Sequence, residues 1–104
     1  MSTLKLAPPF AVDRVRGSVR IIDVREPVEF TGELGHIAEA ELVPLATVID
    51  AAQAWDKSAP LVIVCRSGAR SGRAGEALCA MGFEDVTNMV GGMIAWNQEG
   101  LPTA

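Results

Sequence analysis

Apolar positions along this chain fall into short runs with two alternating periods. The densest run, Leu61-Val62-Ile63-Val64, is wholly apolar and rich in β-branched residues, which predicts a strand buried on both faces. Residues 60–71 carry that strand into Cys65-Arg66-Ser67-Gly68-Ala69-Arg70-Ser71. Beyond it, Ala74, Ala77, Leu78 and Met81 recur at the three-four spacing of a helical face, and Gly82 is placed to end the helix. A buried strand thus delivers a thiol into a cationic loop that opens a helix.

The other runs repeat this alternation on a smaller scale. Leu4 to Ala7 predicts a short edge strand halted by Pro8-Pro9. Phe10, Val12 and Val15 predict one face of a short helix ending near Gly17. Val19, Ile21 and Ile22 predict a strand that runs into Asp23-Val24-Arg25-Glu26-Pro27, putting charge at its carboxyl end, where open α/β sheets hold ligands. Asp23, Arg25 and Glu26 are therefore site or rim candidates, with exposed ion pairs on a solvated loop as the alternative.

Pro27 to Phe30 reads as one helical turn. His36, the single histidine, reads as a loop-packing or hydrogen-bonding residue, and without a second histidine no metal site is expected. Leu42-Val43-Pro44-Leu45 predicts a strand stopped by Pro44, and Leu45, Val48, Ile49, Ala52 and Trp55 predict a helix from 45 to 55. Trp55 reads as core or core-edge, since nothing basic or aromatic accompanies it in the sequence. Residues 83–89 predict the last strand. Gly91-Gly92 then allows close backbone approach before a short helix that packs Met93, Ile94 and Trp96 inward. Strands alternating with helices imply an α/β parallel sheet covered on both faces.

Composition narrows the setting. With 104 residues, 49% of them apolar, the chain suits one domain over 1–104. A formal charge of -4 argues against a nucleic-acid partner, and leaves the arginines near Cys65 as a local positive island suited to a small anion. Two cysteines do not make a disulfide scaffold. A Cys65–Cys79 bridge would need α-carbons within roughly 7 Å. Cys79 sits off the expected inner stripe and reads as structural filling rather than a resolving thiol. The amino terminus lacks a signal-peptide core and no run reaches membrane-spanning length, so a soluble cytoplasmic protein with no membrane partner is expected.

Chemistry concentrates at residues 65–71. A helix start exposes unpaired N–H groups and favours an anion, yet Arg70 and Arg73 are cations in that position. Something negative between them resolves the conflict: a Cys65 thiolate or an anionic substrate. Consecutive N–H groups curled round the sulfur would form a nest, and a cationic, helix-start setting lowers a thiol pKa. The competing reading is one more buried structural cysteine.

Three segments carry a resemblance: Ile22-Asp23-Val24-Arg25-Glu26-Pro27-Val28-Glu29-Phe30 with Gly35-His36-Ile37, Val64 to Ser71, and Gly91 to Trp96 with Gly100-Leu101-Pro102. In that order and spacing, from about Ile21 to the carboxyl terminus, the chain resembles a single-domain rhodanese, a sulfurtransferase of the thiosulfate type. The resemblance implies a three-layer α/β/α domain with a mostly parallel five-stranded sheet and an active loop from Cys65 to Arg70. It implies that Cys65 takes the outer sulfur of a small anionic donor as a persulfide and passes it to cyanide or a thiol, including a thiol-carrying protein. By the same likeness Arg66 and Arg70 bind the donor, within a substrate loop that includes Ser67, Gly68, Ala69 and Ser71. Asp23 and Arg25 would secure that loop, with Glu26 and His36 at its rim. No cofactor is implied.

The related cysteine phosphatases and arsenate reductases use a loop one residue longer, whereas four residues separate Cys65 from Arg70. A non-catalytic or sulfur-carrier module is the third reading, although such modules usually lose the cysteine. One departure stands out: the family's Pro-Gly-Ala turn is replaced by Ala38-Glu39-Ala40-Glu41. Its two carboxylates are expected near the rim, where they would repel anionic donors or select a protein acceptor.

Overall fold

A computed structural model describes residues 2–104. In chain order the elements are β1 (Lys5–Ala7), α1 (Pro9–Val15), β2 (Arg20–Asp23), α2 (Pro27–Phe30), β3 (Ala40–Leu42), α3 (Leu45–Ala52), β4 (Leu61–Val64), α4 (Ala69–Ala80), β5 (Val86–Met89) and α5 (Gly92–Gln98). The five strands form one sheet in the order β1-β5-β4-β2-β3. Every pairing is parallel, so all carboxyl ends lie along one edge.

The central strand explains why the sheet needs two helical layers. Along β4, side chains alternate sides: Leu61 and Ile63 enter one core with Val48, Ala74, Leu78 and Phe83, from α3, α4 and the turn after α4. Val62 and Val64 enter the other, with Val12, Met89, Met93 and Trp96. A strand buried on both faces has no polar side to show, hence its unbroken apolar sequence. Cys65 continues the alternation onto the α4 side.

Four details depart from the sequence expectations. β3 occupies 40–42 rather than 42–45, because Pro44 is already the residue capping α3. α3 ends at Ala52, and Trp55 lies beyond it in a turn, with Phe83 edge-on and the Arg20 guanidinium 4.3 Å over its ring. Trp55 is thus core-edge with the basic and aromatic company its neighbours in sequence did not show. α1 buries Pro9 and Val12, while Phe10 is 51% exposed under Arg14 and Val15 is 37% exposed. In α4 the buried stripe is Ser71, Ala74, Gly75, Leu78 and Cys79, which puts Cys79 on it and leaves Ala77 and Met81 half-buried. Both cysteines are free. No helix among the described residues is long and apolar enough to cross a membrane.

Candidate functional site

The site begins where β4 ends. Val64 is anchored by Val24 N–H donating to its carbonyl at 2.9 Å, and the next residue, Cys65, is 1% exposed. The chain must turn at once, because α4 starts only four residues later. The first turn of α5 sets that turn: Met93 N–H donates to Cys65 O at 2.9 Å and Ile94 N–H to Arg66 O at 3.1 Å. Those two donors are among the four that a helix start leaves unpaired. Backbone this close leaves no room for a side chain at position 92, where a Cβ would fall 2.5 Å from the Cys65 and Arg66 carbonyl atoms.

With these carbonyls tied to α5, the N–H groups that follow face the sulfur. Gly68, at φ +102°, donates its N–H to Cys65 Sγ at 3.1 Å. From the first turn of α4, the Ser71 hydroxyl lies 3.3 Å from the same sulfur. Asn88 on β5 braces the arrangement, its Nδ2 donating to Gly68 O at 3.0 Å and its Oδ1 lying 2.6 Å from Ser71 Oγ. Burial pushes the Cys65 thiol up, but the Ser71 hydroxyl and the N–H groups of Ser71, Gly68 and Ser67 outweigh it, so the net shift is below the ordinary thiol value. These donors stabilise the charged form of the sulfur.

Around this nest the charges are arranged in pairs. Arg70 forms a bidentate pair with Glu29 on α2, at 2.7 Å through each oxygen. Arg25 and Asp23 form a second pair, 1% and 0% exposed, joined by Nε and Nη2 at 2.8–3.1 Å. Arg25 also donates to the carbonyls of Glu29 at 3.1 Å and Gly35 at 2.8 Å, which ties α2 and the following loop to β2. The alternative of loose surface ion pairs is excluded for Asp23 and Arg25 by that burial. Arg66 is exposed and has no carboxylate partner among the described residues. With Arg25, Val28, Glu29, Gly32, Glu33 and Leu34 it lines a cavity of about 210 Å³.

Glu26 and His36 make their contacts within this frame. Glu26 caps α2 in a reciprocal capping box with Glu29. His36 stacks on Phe30 at 3.8 Å, and its Nδ1 lies 2.9 Å from the Phe30 carbonyl. The two carboxylates expected at the rim are elsewhere: Glu39 pairs with Arg16 and Glu41 with Arg20, beside the amino-terminal end of β2. Among the described residues, no three His, Cys, Asp or Glu side chains gather as a metal site.

Sequence reading missed Glu29 and Asn88. Glu29 meets Arg70 across 41 residues and Asn88 meets Ser71 across 17, and neither pairing has a local period. An asparagine inside a strand, between Thr87 and the apolar Met89, was the available signal for Asn88.

The Glu29–Arg70 pair has a measurable signature. The Arg70 fork holds the Glu29 carboxyl at about 2, against an ordinary 4.5. A depressed carboxyl contributes stability in full above its ordinary value and loses it as pH falls through its folded value. The urea midpoints of wild type and Glu29→Gln should therefore differ most above pH 4.5 and converge as pH falls toward about 2. A difference that stays constant across that range would mean the pair contributes nothing through charge.

Comparisons with known proteins point one way. The family model described as "Rhodanese-like domain" matches residues 11–99. An uncharacterised Synechocystis protein is 39% identical over 90 residues, 86% of this chain, which spans about half (49%) of that relative's length. Thiosulfate sulfurtransferase GlpE of Pseudomonas fluorescens is 35% identical over 98 residues, covering 92% of this chain and 87% of that protein. Among solved structures, a rhodanese-like domain protein from Staphylococcus aureus superposes with a TM-score of 0.81 at 34% identity, covering 96% of this chain and 98% of the other.

Proposed function

Because this chain belongs to the rhodanese-like domain family, we propose that it is a sulfurtransferase in which Cys65 carries sulfane sulfur as a persulfide. The observation that carries the reading is the set of donors aimed at one sulfur: the Gly68 N–H at 3.1 Å and the Ser71 hydroxyl at 3.3 Å, with further N–H groups from Ser67 and Ser71. Such a nest favours a thiolate without needing a separate general base.

Thiosulfate, the donor in the name of the Pseudomonas relative, fits the charge around the loop. The sulfonate end is received by the exposed guanidinium of Arg66, with Arg70 adding its field from beside Cys65. The Cys65 thiolate attacks the outer sulfur, a new S–S bond forms, and the donor's own S–S bond breaks with its electron pair leaving on sulfite. The persulfide anion is then attacked at its outer sulfur by cyanide or a thiolate, and the Cys65 thiolate returns. Charge balances in both halves, so no oxidant or reductant enters. A reducing compartment such as the cytoplasm keeps Cys65 in the thiol form this cycle requires.

Two other readings are weaker. Phosphate-ester or arsenate chemistry needs a wider cradle than the four residues between Cys65 and Arg70 give. A carrier that accepts sulfur without turning over with cyanide would use the same loop. Steady-state kinetics separate the three. Thiocyanate formation from thiosulfate and cyanide should show the parallel double-reciprocal lines of a two-step covalent cycle. Phosphate-ester hydrolysis with no thiocyanate would replace this reading with the phosphatase one.

A further inference from the structure

Ser71 Oγ lies 2.6 Å from Asn88 Oδ1 and 3.3 Å from Cys65 Sγ. A hydroxyl has one proton to donate, so it serves one of these neighbours at a time. The Asn88 amide cannot resolve the conflict by turning over, because its Nδ2 donates to Gly68 O at 3.0 Å. Its oxygen therefore faces Ser71 and can only accept. Ser71 is fully buried and Asn88 is 7% exposed, so bulk solvent does not replace a lost bond.

Two proton arrangements follow. When Cys65 is a thiol, its S–H donates to Ser71 Oγ and the hydroxyl donates to Asn88 Oδ1, so every group is satisfied. When Cys65 is a thiolate, the hydroxyl can serve Sγ only by leaving Asn88, and two oxygens 2.6 Å apart are then left with no proton between them. We propose that Asn88 is a positioning residue: by competing for the Ser71 proton it restrains ionisation of Cys65. On the sulfur-transfer reading given above, loading removes the charge from Sγ to the outer sulfur, and the hydroxyl returns to Asn88. The side chain then favours the loaded centre over the empty thiolate.

The charged groups near the loop are Arg66, Arg70 on α4, Glu29 on α2 with Glu26 capping that helix, and the Asp23–Arg25 pair at the end of β2. β5 and α5 contain no titratable side chain, so a substitution at 88 changes the hydrogen bonds to Ser71 and Gly68 and none of these charges.

The test is the pH profile of Cys65 alkylation by iodoacetamide on the full chain, followed by peptide mass. Asn88→Ala should move the profile to lower pH, with alkylation roughly threefold or more faster below the wild-type midpoint. In a Ser71→Ala background, where only the bond to Gly68 O is lost, the same substitution should shift the profile much less. A shift to higher pH, no shift, or an equal shift with and without Ser71 would overturn the proposal. Asn88→Leu, which fills the space without an acceptor, answers the same question should the alanine variant not fold. Alkylation needs no sulfur donor, so this outcome is separate from whether a persulfide forms.

Discussion

Replacing Arg25 with alanine is expected to lower the unfolding free energy by about 3–5 kcal/mol, the usual consequence of leaving one member of a buried pair uncompensated. Asp23, 0% exposed, would lose the cation it is paired with. The carbonyls of Glu29 and Gly35 would lose their guanidinium donor as well. Against a total of about 5–15 kcal/mol for a typical domain, a loss of that size takes much of the margin. The Lys5–Asp85 pair is the natural control, since its side chains are 63% and 41% exposed and such pairs contribute at most about 1 kcal/mol. Urea unfolding of Arg25→Ala and Lys5→Ala measures both. Equal, small losses would mean that Arg25 is not the clamp between β2 and α2. Activity should fall too, because α2 carries the Glu29 that holds Arg70.

The second large effect is expected at Gly92. An alanine there would drive its Cβ into backbone atoms of Cys65 and Arg66, 2.5 Å away, and backbone cannot swing aside as a long side chain can. The loop must move, and the bonds from Met93 to Cys65 O and from Ile94 to Arg66 O lengthen with it. Displacements near 1 Å at a reacting centre cost about 100-fold in rate, so kcat/KM for sulfur transfer should drop on that order. Gly92 also sits at φ +58°, which strains any L side chain. Gly17→Ala separates the two causes, for Gly17 has φ +87° and nothing within 4 Å of its would-be Cβ. That variant should lose some stability and keep its activity. Similar activity losses in both would assign the effect to backbone strain alone.

The strand, loop and helix around Cys65 were legible because each is specified by local pattern. β4 is apolar at every position since both of its faces are covered, and α4 announces itself by the spacing of Ala74 and Leu78. The close glycine pair was legible as well, as two adjacent glycines before a helix signal close backbone approach. Less visible were positions decided by partners far along the chain. β3 was shifted because Pro44 was read as ending a strand when it caps α3. Phe10 was read as inward because it is apolar, yet α1 is short and turns Val12 to the core. The departure at Ala38 to Glu41 gained a physical explanation only when Arg16 and Arg20 were found opposite its carboxylates. The same holds for Arg70: its charge was legible, while the Glu29 that occupies its fork was not.

The pairing of Arg70 changes how the cationic loop is understood. Two of the three arginines near the site are committed to carboxylates, Arg25 to Asp23 and Arg70 to Glu29. Among the described residues, the cation lining the cavity without a carboxylate partner is Arg66. Local donors on Cys65, rather than a large net positive field, are therefore the main support for its ionised form.

That centre is tested most directly by intact mass spectrometry of the protein after brief exposure to thiosulfate and removal of excess donor. The expected result is a gain of one sulfur atom, located on Cys65 by peptide mapping and lost on adding cyanide, with Cys65→Ser unchanged under the same treatment. A correctly folded wild-type protein that gains no sulfur, or gains it on Cys79 instead, would contradict the assignment of Cys65 as the sulfur carrier.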